Sequence, residues 1–81
     1  METRVAVIAV IIKNRDTVSQ LNEILHTYAD YIIGRMGLPY LPKKVSIMSV
    51  AVDAPQDVIS ALSGKIGALS GISVKTAYAD A

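Results

Sequence analysis

Val5-Ala6-Val7-Ile8-Ala9-Val10-Ile11-Ile12 is an unbroken apolar run of eight, closed abruptly by Lys13-Asn14-Arg15-Asp16. Branched side chains sit well on a pleated surface and lose rotamer freedom in a helix, so the run reads as a β-strand. It has no polar face, and a strand of that kind is expected to be buried on both sides. Arg4 ahead of the run imitates the start of a signal peptide, but no small-residue cleavage site follows. The run is also far short of the ~20 residues that cross a bilayer. The expected setting is a core strand of a cytoplasmic protein with no membrane partner.

The rest of the composition fits one small domain spanning 1–81. A chain of 81 residues buries little more than ~60% of its unfolded surface. Yet 52% of it is hydrophobic and only 19% charged, which excludes disorder and leaves more apolar surface than one small core can hide. The formal charge of +1 gives no general case for nucleic-acid binding over the whole surface. Without cysteine, neither disulfides nor thiolate metal sites are available.

Working outward from the first strand, Asn14 to Thr17 forms a turn into a helix. Asp16 or Thr17 is expected to cap that helix, Thr17 and Gln20 having capping-box spacing. Val18, Leu21, Ile24, Leu25 and Tyr28 make its apolar stripe. Tyr31 to Met36 reads as a second strand, weakened by Gly34 and therefore at an edge. Gly37 to Pro42 reads as a proline-punctuated connection. Val45 to Val52 is the third strand, and Pro55 opens a second helix with Val58, Ile59, Leu62, Ile66 and Leu69 on one side. Ile72 to Tyr78 alternates as a fourth strand.

Strand, helix, strand, strand, helix, strand is the split βαβ pattern. The expectation is an α+β, ferredoxin-like βαββαβ two-layer sandwich with antiparallel sheet order 4-1-3-2. That order centres the first and third strands, the two that read as apolar throughout. With both helices on one face, the other face exposes about half of Val5–Ile12 together with Met48, Val50 and Val52 or their alternates. Apolar patches of several hundred Å² are uncommon on monomers. The chain is therefore expected to form a homo-oligomer, a dimer or tetramer, through its open sheet face.

Candidate sites are few. Asn14, Arg15 and Asp16 stand at the end of a central strand, where free N–H groups and crossover connections favour small ligands, although plain turn chemistry also accounts for them. Arg35, Lys43 and Lys44 lie in a stretch free of acids and could present a nucleic-acid or anion surface; edge charges that block aggregation are the competing explanation. His26 with Glu23 has metal-ligand spacing, but one histidine without cysteine makes a poor site. Ser60, Ser63, Gly64 and Gly67 offer a smooth helix face for a subunit contact, or simply a fraying helix end. No catalytic constellation, metal set or cofactor motif is present, so an enzyme is the weaker class.

Leu21 to His26, Tyr31 to Tyr40, Asp53-Ala54-Pro55, Val58 to Lys65 and Val74 to Tyr78 together resemble the small proteins described as candidate regulators of iron-only hydrogenase systems. The resemblance implies a ferredoxin-like fold, oligomers and kinship with ACT-type regulatory domains. It also suggests likeness to the effector-binding half of the nickel-responsive repressor. That repressor's ligands are histidines and a cysteine, and His26 alone does not supply them. Its ribbon-helix-helix arm has no counterpart ahead of the first strand, so the expectation is an effector-binding or transcription-regulating domain without its own DNA-binding arm. The alternatives are direct nucleic-acid binding through Arg35, Lys43 and Lys44, and a structural partner of another regulator.

Overall fold

The computed structural model describes residues 2–79. The apolar run becomes β1 (Arg4–Ile12), followed in order by α1 (Val18–Thr27), β2 (Ile32–Tyr40), β3 (Val45–Ala54), α2 (Gln56–Gly67) and β4 (Ile72–Tyr78). The strands form one antiparallel sheet in the order β2-β3-β1-β4. This arrangement of four strands and two helices fits a ferredoxin-like fold. β1 is central, pairing with β3 on one side and β4 on the other.

The alternation along β1 fixes where the core sits. Ala6, Ile8, Val10 and Ile12 are buried beneath the helices with Val50, Val52 and Ala54 of β3. Complete burial of a branched side chain contributes ~1.5–3 kcal/mol, so this face supplies much of the driving force. Leu21 and Leu25 of α1 and Ile59, Leu62 and Ile66 of α2 close the core from above. The sequence expectation of a strand buried on both faces is met on one face only: Val5 and Val7 remain 46% and 42% exposed. The hydrophobic run is thus half core and half surface within a single chain. On the third strand, whose parity the sequence left open, the alternates take the open face: Val50 and Val52 are buried, and Ile47, Ser49, Ala51 and Asp53 lie on the other side.

Three local features differ from the sequence reading. The chain leaves β1 through a 3-10 turn at Arg15–Thr17 whose N-cap is Asn14. Thr17, the residue ahead of α1, makes no side-chain cap hydrogen bond. Its hydroxyl instead donates to the Asn14 carbonyl at 2.7 Å, leaving the capping box unformed. β2 does not stop at Met36 but continues through Pro39 to Tyr40, with an irregularity between Ile32 and Gly34. An edge strand can carry proline because a missing N–H on its free side breaks no ladder.

A polar tie joins one end of the sheet to the start of α2. The Arg4 guanidinium lies 4.0 Å over the Tyr78 ring and donates to the Gln56 side-chain oxygen. The Gln56 amide nitrogen donates in turn to the Tyr78 hydroxyl at 2.8 Å. The antiparallel pairing of β1 and β4 brings these distant positions together.

Candidate functional site

At the C-terminal end of β1, the Lys13 N–H donates to the Gly71 carbonyl at 2.7 Å, pinning the strand end to the turn before β4. The Asn14 side-chain oxygen accepts from the Asp16 N–H at 3.0 Å. That oxygen therefore already has a structural role in shaping the turn. Arg15 and Asp16 are exposed, and Arg15 lines a cleft.

The cleft has a volume of about 320 Å³ and is lined by Arg15, Pro39, Leu41, Lys44, Val45 and Ser46. Three separate elements build it. Arg15 comes from the turn after β1, Pro39 from the end of β2, and Leu41 and Lys44 from the hairpin leading into Val45 and Ser46 of β3. Lys44 holds a left-handed backbone, φ 54° and ψ 41°, conformations that glycine or asparagine adopt more cheaply. Two cations and a hydroxyl thus meet over an apolar floor with no carboxylate in the lining. Such a set can hold a small anion, with Arg offering paired N–H donors and Lys a point charge.

The remaining basic residues do not join this cleft. Lys43 is exposed in the 3-10 turn Leu41–Lys43. Arg35 pairs with Val50, five residues along the ladder from the Tyr40–Val45 pair, which is roughly 17 Å at strand rise. It lines a second groove of about 400 Å³ with Asn22, Leu25, His26, Ala29, Ile32 and Gly34. There the Arg35 guanidinium donates to the Asn22 side-chain oxygen at 3.4 Å. Asn22 and Arg35 are the polar side chains that share this groove with His26. Among the described residues, no group of three or more metal-ligating side chains comes together.

A third hollow, of about 420 Å³, lies on the open sheet face and is lined by Val7, Gly34, Arg35, Met36, Ser49 and Ala51. The sequence reading assigned this face to self-association without singling out the hollow. Its signal was nevertheless present, since Gly34, Ser49 and Ala51 are the small residues among larger apolar ones on neighbouring strands.

The described residues thus form a small α+β domain with an open sheet face and a cleft lined by Arg15 and Lys44. Residues 4–76 match the family described as "TM1266-like: Iron-only hydrogenase system regulator, putative", and the chain belongs to that family. No curated protein matches it. Among solved structures, uncharacterized protein TM1266 from Thermotoga maritima is 31% identical, with TM-score 0.93 over 98% of this chain and 100% of that one. An unknown protein from Galdieria sulphuraria shares the fold at 20% identity and TM-score 0.66, over 99% of this chain but 47% of its own. The family's description names a regulator of an iron-only hydrogenase system, which accords with a role other than catalysis.

Proposed function

We propose that the chain is a self-associating, effector-binding regulatory domain of hydrogenase metabolism, acting in the cytoplasm. The observation that carries this reading is the cleft in which Arg15 and Lys44 converge over Pro39, Leu41 and Val45. Its volume lies at the small end of the range of ligand sites, and its few polar groups on an apolar base match their usual make-up. A small organic anion is the class of effector that this lining favours. Such a ligand regulates only through different affinities for two states of the protein, and alternative assembly arrangements provide those states.

A thermal-shift screen of amino acids, other small carboxylates, nucleotides and metal ions tests the proposal. A ligand at one hundred times its Kd stabilises the native state by ~2.7 kcal/mol, a shift of roughly 10–20 °C in a domain of this size. The expected hits are small anions, and Arg15→Gln or Lys44→Asn should abolish their shift while leaving the unliganded melting temperature within a few degrees. Asparagine suits the second test because it tolerates the left-handed backbone. Silence across the whole screen removes the effector role. Light scattering tests self-association: a particle of 8.6 kDa at micromolar concentration removes that part.

A further inference from the structure

The register of the open sheet face places its charges in a pattern that specifies how two copies meet. Val5, Val7, Ala9 and Ile11 of β1 share this face with Ile47, Ser49, Ala51 and Asp53 of β3. Met36, Leu38 and Tyr40 of β2 lie beyond β3, and Ser73, Lys75 and Ala77 of β4 lie beyond β1. Met36 and Leu38 are 68% and 56% exposed. Asp53 and Lys75 are the two charged residues among these face positions. They cannot satisfy each other within one chain. Asp53 lies opposite Val5 on one side of β1 and Lys75 opposite Ala9 on the other, so they stand two strand spacings and four residues apart, roughly 16 Å.

We propose that the occupant of this face is a second copy of the chain, related by a two-fold axis that passes over Val7 and Met36 and pairs Asp53 of each copy with Lys75 of the other. The proposal rests on the self-association in the preceding reading and adds its geometry. A self-complementary interface requires that if one residue contacts another, the reverse contact also forms. The axis that exchanges Asp53 and Lys75 must run through the midpoint between them. In register that midpoint is Val7, halfway between Val5 and Ala9 on the strand between β3 and β4. With strands ~4.8 Å apart and residues ~3.3 Å apart, a line through Val7 perpendicular to the Asp53–Lys75 direction crosses β2 at Met36.

A separate observation points to the same line. The hollow on this face is lined by Val7 and Met36 with Gly34, Ser49 and Ala51, and by Arg35, whose backbone position faces the helices and whose guanidinium bonds Asn22 of α1. The charge-derived axis runs through this hollow, where the long, adaptable Met36 side chains of both copies can enter the space left by small residues. The face measures about 19 by 23 Å, roughly 450 Å² in projection, at the low end for a stable contact. With so little area, charge placement decides the register.

Charge exchange and crosslinking test the geometry. By sedimentation velocity, Asp53→Lys and Lys75→Asp should each weaken self-association by about tenfold or more, because each places two like-charged pairs in the contact. The double variant should restore it. The natural chain has no cysteine, so Val7→Cys introduces one thiol per copy. Copies meeting on the axis present these thiols across a single sheet-to-sheet gap of ~10 Å, within reach of a short bismaleimide. At Ile47→Cys the two positions are about 16 Å further apart sideways, so crosslinking there should be absent. Failure of the double variant to restore assembly, or crosslinking at Ile47→Cys in place of Val7→Cys, overturns the register while leaving self-association intact. A monomeric unmodified protein overturns both.

Discussion

Gly71 is fixed by its neighbours to a degree that the other glycines are not. Its φ is +71°, and a Cβ there would lie 2.6 Å from the Asn14 Cβ and 3.1 Å from the Asn14 nitrogen. Asn14 cannot retreat cheaply, because its carbonyl and side-chain oxygens hold Thr17 and Asp16 while the Gly71 carbonyl holds the adjacent Lys13. Gly71→Ala should therefore destabilise the fold by about 2–3 kcal/mol, the upper part of the range for a strained left-handed residue, because the close approach to Asn14 adds to the strain. That corresponds to a melting temperature lower by roughly 10–20 °C in a domain of this size. Gly64 is the contrast: it lies in α2 with nothing within 4 Å of an added Cβ. Gly64→Ala should stabilise by about 0.5–1 kcal/mol through helix propensity. Equal melting temperatures for the two variants would contradict the turn geometry.

At the scale of elements, β1 divides its labour by residue parity. Ile8 is fully buried, whereas Val7 is 42% exposed on the opposite face. Ile8→Ala should cost about 2–5 kcal/mol in urea unfolding, a large share of the stability of a small domain. Val7→Ala should cost the isolated fold less than about 1 kcal/mol and act mainly on self-association. A similar loss from both would mean that the strand is not sided as described. The central strands and both helical stripes were legible in the sequence because burial under helices demands uninterrupted or 3.6-periodic apolar patterns. The parity of β3 was less legible, since Met48, Val50 and Val52 and their alternates are all small or apolar enough for either face, and a one-residue shift exchanges the faces. Pro39 concealed the length of β2, because proline marks a turn as readily as an edge strand. Of the candidate site, Arg15 and Lys44 were each legible as basic residues beside turns. Their shared cleft was not, because it depends on the hairpin at Leu41–Lys44 folding back beside the end of β1.

At the scale of the whole molecule, an 81-residue chain has a thin margin of stability, and its open face leaves Val5, Val7, Met36, Leu38, Tyr40 and Ile47 at the surface. If a second copy covers that face, folding and association are linked, and the melting temperature must depend on concentration. Raising the concentration tenfold stabilises a folded dimer by about 1.4 kcal/mol relative to its two unfolded chains. Spread over the unfolding entropy of two chains, this shifts the midpoint upward by roughly 3–5 °C. A monomer shows no such shift. Calorimetry from 10 µM to 1 mM should therefore show a rise of roughly 6–10 °C for the natural chain, on the same entropy scale. Asp53→Lys should flatten the dependence, and the double exchange with Lys75→Asp should return it. A midpoint that stays constant across this range would show that the apolar face remains uncovered in solution, and that one copy of the chain folds without a second.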